Sequence, residues 1–361
     1  MTQKQSQKKK DGASAKMEPG AILSKKLWIT ILVALFILGG IILLYIFLPV
    51  YANKTETSAI IKIPANATSQ MVEDSIAKYF GPKYASKVTM MTKLKGTDFG
   101  SRHGAFLVDS GVNPLNTARI LSHGQQHPVK VVVNGARGIK PLAEKISRNV
   151  EFASDSLVAL LNDPEFLKRY DVTPEEVIGL FPDDTYLVYW SAKPEEVVAK
   201  IAANYNKIWN EQRREKARSL GLTPLEVTTL ASIVDEETNK SDEKPMVARL
   251  YLNRLKKGMK LQADPTVKFA TGDFSLRRIR NEHLATRSPY NTYLVEGLPP
   301  GPIRTVTTAD IDAVLNAPQH PYLYMCAKED FSGYHNFASD YSTHLSNARR
   351  YQKELNRRGI M

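Results

Sequence analysis

Apolar residues follow three patterns along this chain, and the first is an uninterrupted run near the N-terminus. Residues 27–48 contain no charged side chain, and a helix of this length can cross about 30 Å of hydrocarbon. Trp28, Tyr45 and Tyr51 lie toward the ends of the run, where aromatic rings favour the membrane interface. The pattern predicts a transmembrane helix from Leu27 to Leu48.

Two other structures are compatible with this apolar run. Val50-Tyr51-Ala52 resembles the small-residue site at which a signal peptide is cleaved, although the hydrophobic region of a signal peptide usually has about 7 to 15 residues. A buried core helix is the third alternative. An apolar surface on every side, next to a polybasic segment, disfavours it, so we predict a membrane anchor.

The second pattern is a short strand followed by a turn and a helix, and it occurs twice. Residues 58–63 alternate and precede a helical pattern that opens at Ser69, whereas the β-branched residues 129–133 precede a helical pattern at 139–146. Such units favour a small α+β module, which we place at residues 55–150. Generic connecting structure of the same class is the alternative.

The third pattern is a helix whose start and buried face are both specified. Thr223-Pro224-Leu225-Glu226 is a capping box with proline at the first helical position. Apolar residues then recur at the spacing of one helical face, at Val227, Leu230, Ala231 and Val234.

Three consecutive acids end this helix, and helical spacing separates them. With Leu230 at zero, Asp235 lies at about 140° and Glu236 at about −120°, on the outer face. Glu237 lies at about −20°, within the apolar stripe. Desolvation, the two acidic neighbours and the helix dipole would all favour its protonated form. We predict that Glu237 is a general acid at neutral pH.

A structural alternative for Glu237 stays open at this point. A glutamate at a frayed helix end can turn to water or pair with Lys240 or Lys244. The next segment predicts a second helix capped by Ser241 or Asp242.

Polar and proline-rich segments follow this second helix. Residues 261–266 are predicted to be extended or a turn, because proline disfavours helix in the residue before it. Residues 288–293 and 297–303 form stiff loops with aromatic and amide side chains. Loops of this type can line a saccharide cleft. The candidate substrate-binding residues are Gln262, Asp264, Tyr290, Asn291, Tyr293 and His335.

The charge of the chain is unevenly distributed. The formal net charge is +12 over 361 residues, and residues 1–26 supply +5 of it with seven lysines and two acids. The low hydrophobicity of residues 1–26 predicts a disordered tail. Its lysines would keep the N-terminus in the cytoplasm. The exported remainder carries +7, which suits an anionic wall polymer. Export argues against nucleic acid as a partner.

The composition limits the chemistry of the chain. Apolar residues make up 43% and charged residues 24%, the balance of a folded protein of about two domains. The single cysteine, Cys326, excludes an internal disulfide and is predicted to pack. Neither a glycine-rich phosphate loop nor a His-Glu-x-x-His motif occurs, so we expect no metal and no cofactor.

Several sequence blocks resemble the MltG/YceG-like endolytic murein transglycosylases. Five occur in the family's order, and blocks upstream and near the C-terminus also match; together they are residues 179–186, 231–238, 247–255, 258–267, 290–293, 297–303, 322–324 and 335–344. The family's catalytic glutamate directly precedes the threonine of the second of these blocks, which is the position of Glu237. Asp235 departs from the pattern, where a glutamate is usual, and we expect little consequence because that position faces outward.

The resemblance implies an α+β protein with a single transmembrane helix, a small LysM-like module and a mixed α+β catalytic domain at residues 151–361. It implies cleavage, without water, of the bond between N-acetylmuramic acid and N-acetylglucosamine inside peptidoglycan strands, which terminates strand elongation. Peptidoglycan is then the substrate, peptidoglycan synthases are partners, and the body lies outside the cell (inner) membrane. A hydrolytic muramidase with Asp264 as second carboxylate, or a non-catalytic scaffold that binds the wall, are the alternatives.

Overall fold

The computed structural model describes residues 19–276 and 278–359, with side chains from Lys25 onward. Its helices and short two-stranded sheets confirm the predicted mixed α+β class. The described chain divides into two compact units. The first comprises residues through Ile61, Asn66–Arg102 and Phe106–Gln125; the second comprises Lys62–Ala65, His103–Ala105 and the chain from Gln126 onward.

The N-terminal apolar run forms helix α1, Pro19–Ala52, which is longer than predicted at both ends. Residues 19–26 are therefore helical rather than part of a disordered tail, and residues 1–18 of that predicted tail lie outside the described residues. Within Lys25–Ala52, an 18-residue window has a mean hydropathy of 3.0, and the stretch is long enough to cross a membrane. Most of its described side chains are exposed, with Phe36 at 84%, and Val50 near its end is buried, so α1 is not a core helix. A membrane anchor and a signal sequence both fit it.

The first strand–turn–helix pattern is confirmed. In the segment that follows α1, strands β1 and β2 pair with each other, and Ile61, Ile76 and Val88 are fully buried. The side chain of Thr68 caps α2 by accepting from the N–H of Met71. The elements of this segment are β1 (Ala59–Ile63), α2 (Ser69–Phe80), α3 (Pro82–Leu94), β2 (Gly104–Val108) and α4 (Pro114–His123).

The second pattern is also confirmed, but it belongs to the second unit. Strand β3, Val129–Val133, pairs antiparallel with β4, Asp184–Val188. Alternate residues of β3 are buried against the following helix α5, Ile139–Ser147. Both strands belong to the second unit, which contains the chain from Gln126 onward and two short segments before it.

Helix α10 starts as its capping box predicts. The hydroxyl of Thr223 accepts from the N–H of Glu226, and the Glu226 carboxylate accepts from the N–H of Thr223. The helix packs against α11 and α14 through the fully buried stripe of Val227, Leu230, Ala231 and Val234. The remaining elements are α6 (Ser154–Leu161), α7 (Pro164–Leu167), α8 (Pro194–Ile208), α9 (Glu211–Ser219), α10 (Pro224–Glu237), α11 (Lys244–Lys256), α12 (Asp264–Thr271), α13 (Asn281–Leu284), α14 (Thr308–Leu315), β5 (Tyr324–Ala327), β6 (His335–Ala338) and α15 (Tyr341–Arg357).

Two local predictions after α10 are wrong. The segment predicted to be extended at residues 261–266 starts helix α12 at Asp264. Pro265 is tolerated there because N–H groups in the first turn need no helical partner. Helix α11 is preceded by Glu243 at the N-cap position, not by Ser241 or Asp242. The Glu243 side chain makes no capping bond, because other donors occupy its carboxylate.

Candidate active site

Glu237 is the last residue of α10, and its carboxyl faces a cavity. The helix closes behind it, where the N–H of Thr238 donates to the carbonyl of Val234. Oε2 of Glu237 accepts a hydrogen bond of 3.2 Å from Oη of Tyr251, a buried residue of α11. Glu237 itself is half-buried. Helical spacing predicted this inward direction correctly.

Two cavities share Glu237 and Asp264 in their walls. The smaller has a volume of ≈ 320 Å³ and the larger of ≈ 720 Å³, within the range of sites for small ligands. The larger is also lined by Lys268, Arg278 and Tyr351. Five of the seven residues predicted for the site line the smaller cavity, namely Glu237, Gln262, Asp264, Tyr293 and His335.

Burial raises the pKa of Glu237 to about 7, and the nearby negative charge of Asp264 acts in the same direction. His335, the Tyr251 hydroxyl and Lys268 lower it, because each stabilises the ionised carboxylate. Near neutral pH, both the protonated and the ionised forms of Glu237 are therefore well populated. Such a group can donate a proton and then accept one.

The two acids that precede Glu237 do not explain its pKa. Arg304 lies 3.0 Å from Asp235 and 2.8 Å from Glu236, and Arg137 and Lys244 each bind one of them at 2.5 Å. The side chains of both acids are only 16% exposed. The prediction of an open outer face was wrong, because these cations cover it. Their positive charge offsets the two carboxylates, which leaves burial and Asp264 as the causes of the raised pKa.

The structural alternative for Glu237 is contradicted. Lys244 binds Asp235 and also Asp310, at 2.6 Å. Nζ of Lys240 lies 4.9 Å from the ring centre of Tyr334. Within the described residues, no basic side chain forms an ion pair with Glu237 at 4.0 Å or less.

Asp264 and Tyr293 form a hydrogen-bonded pair beside Glu237. Oη of Tyr293 donates to Oδ1 of Asp264 across 2.7 Å. Burial and this bond raise the pKa of Tyr293, so the phenol remains a donor at neutral pH. Asp264 is exposed at the first position of α12, and its carboxylate is accessible from both cavities.

Gln262 is held in an unusual conformation by a residue that sequence analysis missed. Its φ is +52°, a region that non-glycine residues seldom adopt. Its N–H donates to the carbonyl of Thr292, and Nη1 of Arg254 donates to its Oε1 at 3.2 Å. Arg254 also binds the carbonyls of Lys260 and Leu261 and is only 7% exposed. Burial lowers its pKa. Arg254 stands among the apolar residues of α11, and this is the sequence feature that could have indicated its buried role.

Asn291 does not reach the cavities, contrary to the prediction that it binds substrate. The residue is fully buried, and its Nδ2 donates to the carbonyls of Leu284 and Thr286 at 2.9 and 2.8 Å. Its Oδ1 accepts from the N–H of Tyr293 at 3.0 Å. Its amide is thus satisfied by the backbone, and it holds Tyr293 in place.

Tyr290 is likewise separate from Glu237. Its ring packs on Phe269 with centroids 4.6 Å apart, and burial raises the pKa of its phenol to about 12. It lines a different cavity of ≈ 360 Å³ together with Gly138 and Pro302. Its predicted contact with substrate near Glu237 is not supported by this position.

His335 lies on the cavity wall and is held by Glu243, which the sequence did not reveal. Oε1 of Glu243 accepts from the backbone N–H of His335 at 2.7 Å, and Oε2 faces Nδ1 at 2.9 Å. Oε2 also accepts from the Thr238 hydroxyl at 3.0 Å. Glu243 is 5% exposed. Its partners lie on strand β6 and at the end of α10, so no local pattern pointed to it.

Metal and thiol chemistry have little support at this site. In the part of the chain that the structure describes, no group of three or more His, Cys, Asp or Glu side chains could hold a metal ion. Cys326 lines the smaller cavity, and burial raises the pKa of its thiol. A protonated thiol is a weak nucleophile.

Comparison with known proteins extends these observations. A relative from Bacillus subtilis (strain 168), named endolytic murein transglycosylase, is 24% identical over 293 residues, which cover 77% of this chain and 81% of that protein. A Streptococcus pneumoniae protein of the same name is 32% identical over 114 residues, 30% of this chain and only 21% of that protein. The crystal structure of a YceG-like protein from Listeria monocytogenes shares the fold, with a TM-score of 0.55 at 23% identity over 81% of this chain and 99% of that one.

The family assignment rests on most of the chain. The model of the YceG-like family matches residues 61–350, which include helix α10 and Glu237 at its end. This match agrees with the ordered sequence blocks and with the shared fold. The chain is a member of the YceG-like family.

Proposed function

We propose that this chain is a membrane-anchored, endolytic lytic transglycosylase of peptidoglycan. It cleaves the bond between N-acetylmuramic acid and N-acetylglucosamine within strands and leaves 1,6-anhydro ends, which terminates the elongation of nascent strands. The observation that carries the proposal is the Glu237 carboxyl, whose pKa is about 7, in the wall of a cavity. Membership of the YceG-like family and the printed names of its relatives support it.

The reaction uses both protonation states of Glu237. The protonated carboxyl first gives its proton to the glycosidic oxygen, which leaves as the 4-hydroxyl of N-acetylglucosamine while its bond to muramyl C1 breaks. The ionised carboxylate then takes the proton from the muramyl C6 hydroxyl. The C6 oxygen bonds to C1 and closes the anhydro ring, and Glu237 regains its proton. No water is consumed, and a pKa near the working pH serves both steps.

The other cavity residues divide into groups that tune Glu237 and groups that can bind sugar. The Tyr251 hydroxyl stabilises the ionised carboxylate, whereas the charge of Asp264 opposes it. The exposed Gln262 amide and the Tyr293 ring line the smaller cavity, where amides can bind hydroxyl groups and rings can stack on pyranose faces. We propose that these two side chains orient the saccharide.

We propose that α1 anchors the chain in the cell membrane with its N-terminus in the cytoplasm. The length and hydropathy of Lys25–Ala52 support a spanning helix, and the lysines before it favour the cytoplasmic side. Retention of the intact chain in washed membranes, and digestion of the body by external protease in spheroplasts, are expected. A body released without α1 would instead establish a signal peptide.

Residues 55–150 are the part of the chain that we propose as LysM-like. Within these residues β1, α2, α3 and β2 follow the order strand, helix, helix and strand, and this order supports the proposal. We also propose peptidoglycan synthases as partners, since strand termination requires access to nascent strands. Binding of the inactive Glu237→Gln chain to purified sacculi measures the contribution of glycan binding.

The test of the enzyme is digestion of purified sacculi by the full chain, followed by mass spectrometry of the fragments. We expect products one water lighter than those of hydrolysis, and no products from Glu237→Gln with an unchanged circular dichroism spectrum. Glu282→Gln, which neutralises an exposed carboxylate, is the matched control and should remain active. Products from Glu237→Gln at the wild-type rate would refute the enzyme and favour a wall-binding scaffold.

A hydrolytic muramidase is the second candidate, and one observation favours it. Asp264 shares both cavities with Glu237, and hydrolysis requires a second carboxylate about 5 to 9.5 Å from the first. In that case the products carry ordinary reducing ends, and Asp264→Asn abolishes cleavage. In the transglycosylase, Asp264→Asn instead lowers the pKa of Glu237 and leaves measurable anhydro product.

A further inference from the structure

Glu243 is a buried carboxylate that accepts three hydrogen bonds. The donors are the backbone N–H of His335 at 2.7 Å, Nδ1 of His335 at 2.9 Å and the Thr238 hydroxyl at 3.0 Å. An ionised carboxylate only accepts, so Nδ1 carries a hydrogen in this arrangement. Glu243 therefore joins the residue that follows Glu237 to a histidine on strand β6.

This contact determines which nitrogen of the His335 ring is protonated. When Nδ1–H donates to a carboxylate, the neutral ring keeps an unprotonated Nε2. Among the described residues, Nε2 makes no hydrogen bond. The His335 side chain is 13% exposed and lies in the wall of the smaller cavity with Glu237. A second proton-binding atom is therefore held beside the candidate acid.

We propose that Glu243 and His335 are positioning residues that set the proton affinity of Glu237, Glu243 by fixing the tautomer and charge of the imidazole and His335 by its charge next to the carboxyl. This inference rests on the proposed function, because it assigns a role to the same site. It gives His335 a role in proton transfer and adds Glu243, which binds His335 but lines neither cavity itself.

The reaction explains why such a pair is useful. Once Glu237 has released its proton, a negative carboxylate must persist in a half-buried site until it deprotonates the C6 hydroxyl. A protonated His335 stabilises that carboxylate, and Glu243 stabilises the imidazolium in turn, as in other carboxylate–histidine pairs. Consistent with this, the charge of His335 is the largest influence that lowers the pKa of Glu237.

Other charged and titratable groups also face this cavity, so the test must separate them from His335. They are Tyr251 and Arg254 on α11, Asp264 on α12, Tyr293 in the following loop and Cys326 on β5, and Lys268 on α12 lines the larger cavity. Variants of Glu243 leave all of these side chains in place. A change in pH dependence after Glu243→Gln therefore reports on His335.

The tautomer is measured by nitrogen NMR of the full chain with ¹⁵N-labelled histidine. His335→Gln identifies the signals among those of the seven histidines. In the neutral ring we expect a proton on Nδ1 and none on Nε2. A neutral ring with its proton on Nε2 would overturn the proposal. This measurement needs no substrate, so it stands even if the chain fails to cleave peptidoglycan.

The role is tested by the pH dependence of kcat and kcat/KM for sacculus cleavage. His335→Gln should move the alkaline limb of kcat/KM to higher pH, because the ionised form of Glu237 loses a stabilising charge. The same variant should lower kcat about tenfold. Glu243→Gln should move the limb in the same direction by less. Asp242→Asn is the matched control, since that carboxylate binds Tyr334, and its limb should coincide with the wild type.

Three outcomes of these profiles have distinct meanings. Limbs displaced in both His335→Gln and Glu243→Gln support the proposal. Limbs that coincide with the wild type, with rates reduced equally at every pH, would overturn it and leave a structural role. A wild-type chain that cleaves nothing at any pH, while its His335 shows the Nδ1–H tautomer, would refute the proposed function instead.

Discussion

Tyr251 donates a hydrogen bond of 3.2 Å from Oη to Oε2 of Glu237, across the contact between helices α11 and α10. Both side chains lie at the edge of the same cavity, with the phenol buried and the carboxyl half-buried. The bond favours the ionised carboxylate, whereas burial favours the protonated one. The balance leaves the Glu237 pKa near neutrality, and several predictions depend on this balance.

Tyr251→Phe removes the donor and should raise the pKa of Glu237 further. We expect the alkaline limb of kcat/KM to move upward by about one to two pH units, because a hydrogen bond to a charged group contributes about 1.5 to 3 kcal/mol and one pKa unit corresponds to about 1.4 kcal/mol. The pH–rate profile measures it. Tyr334→Phe, which removes an exposed hydroxyl bound to Asp242, is the control. A limb that moves downward would contradict this account.

The raised pKa of Glu237 also predicts a pH-dependent difference in stability. Because the pKa of Glu237 is about 7 in the folded protein and 4.5 for an unperturbed glutamate, folding favours the protonated form. The stability that the protonated Glu237 gives to the folded protein is complete below about pH 4.5 and is lost as the pH rises through about 7. Glu237→Gln should therefore gain stability relative to the wild type as the pH rises between these values, by about 3 kcal/mol in total. Thermal unfolding of the wild type and of Glu237→Gln at pH 4.5 and pH 8 measures the gain. The same difference in stability between the two proteins at both pH values would contradict the prediction.

Alanine substitution should affect different properties at Asn291 and Gln262, namely stability at Asn291 and substrate binding at Gln262. Asn291→Ala leaves the carbonyls of Leu284 and Thr286 unpaired in the interior and should lower the free energy of unfolding by about 2 to 3 kcal/mol. Gln262→Ala should cost less than about 1 kcal/mol of stability, since that side chain is exposed, and should raise KM. Urea unfolding and steady-state kinetics distinguish the two. Equal loss of stability in both variants would refute the assignment.

Thr223→Ala tests the helix that carries Glu237 from its opposite end. Loss of the Thr223 cap should destabilise the chain by about 1 kcal/mol and leave the pH dependence of cleavage unchanged, because the cavity is unaltered. Denaturant unfolding gives the first quantity and the pH–rate profile the second. A displaced alkaline limb would show that α10 is less rigid than its buried stripe indicates.

The sequence was sufficient to locate the central residue. The capping box fixed the start of α10 and the apolar spacing fixed its buried face, so the direction of Glu237 followed from 100° per residue. The family resemblance selected the same residue independently. The predicted stripe is buried, as are all residues from Val227 to Val234, so the helical spacing still gives the direction of Glu237 at the end of α10.

Contacts between distant segments could not be predicted in the same way. No local pattern indicated a role for Glu243, because its donors include a strand residue 92 positions later. Asn291 resembled a sugar-binding amide, but nearby backbone carbonyls bind it in the interior. The outward-facing Asp235 is covered by Arg304, which lies in a loop. The type of a polar side chain does not show whether it is available to a ligand. Tertiary packing determines this, and local sequence does not reveal the packing.

The measurement that tests the central claim most directly is the titration of the Glu237 carboxyl itself. Carbon NMR of the full chain with carboxyl-labelled glutamate, compared with Glu237→Gln, isolates its signal. We predict a midpoint near pH 7, and digestion of sacculi that falls on the alkaline side of the same midpoint. A midpoint at about 4.5, the value of an exposed glutamate, would contradict the assignment of Glu237 as the proton donor.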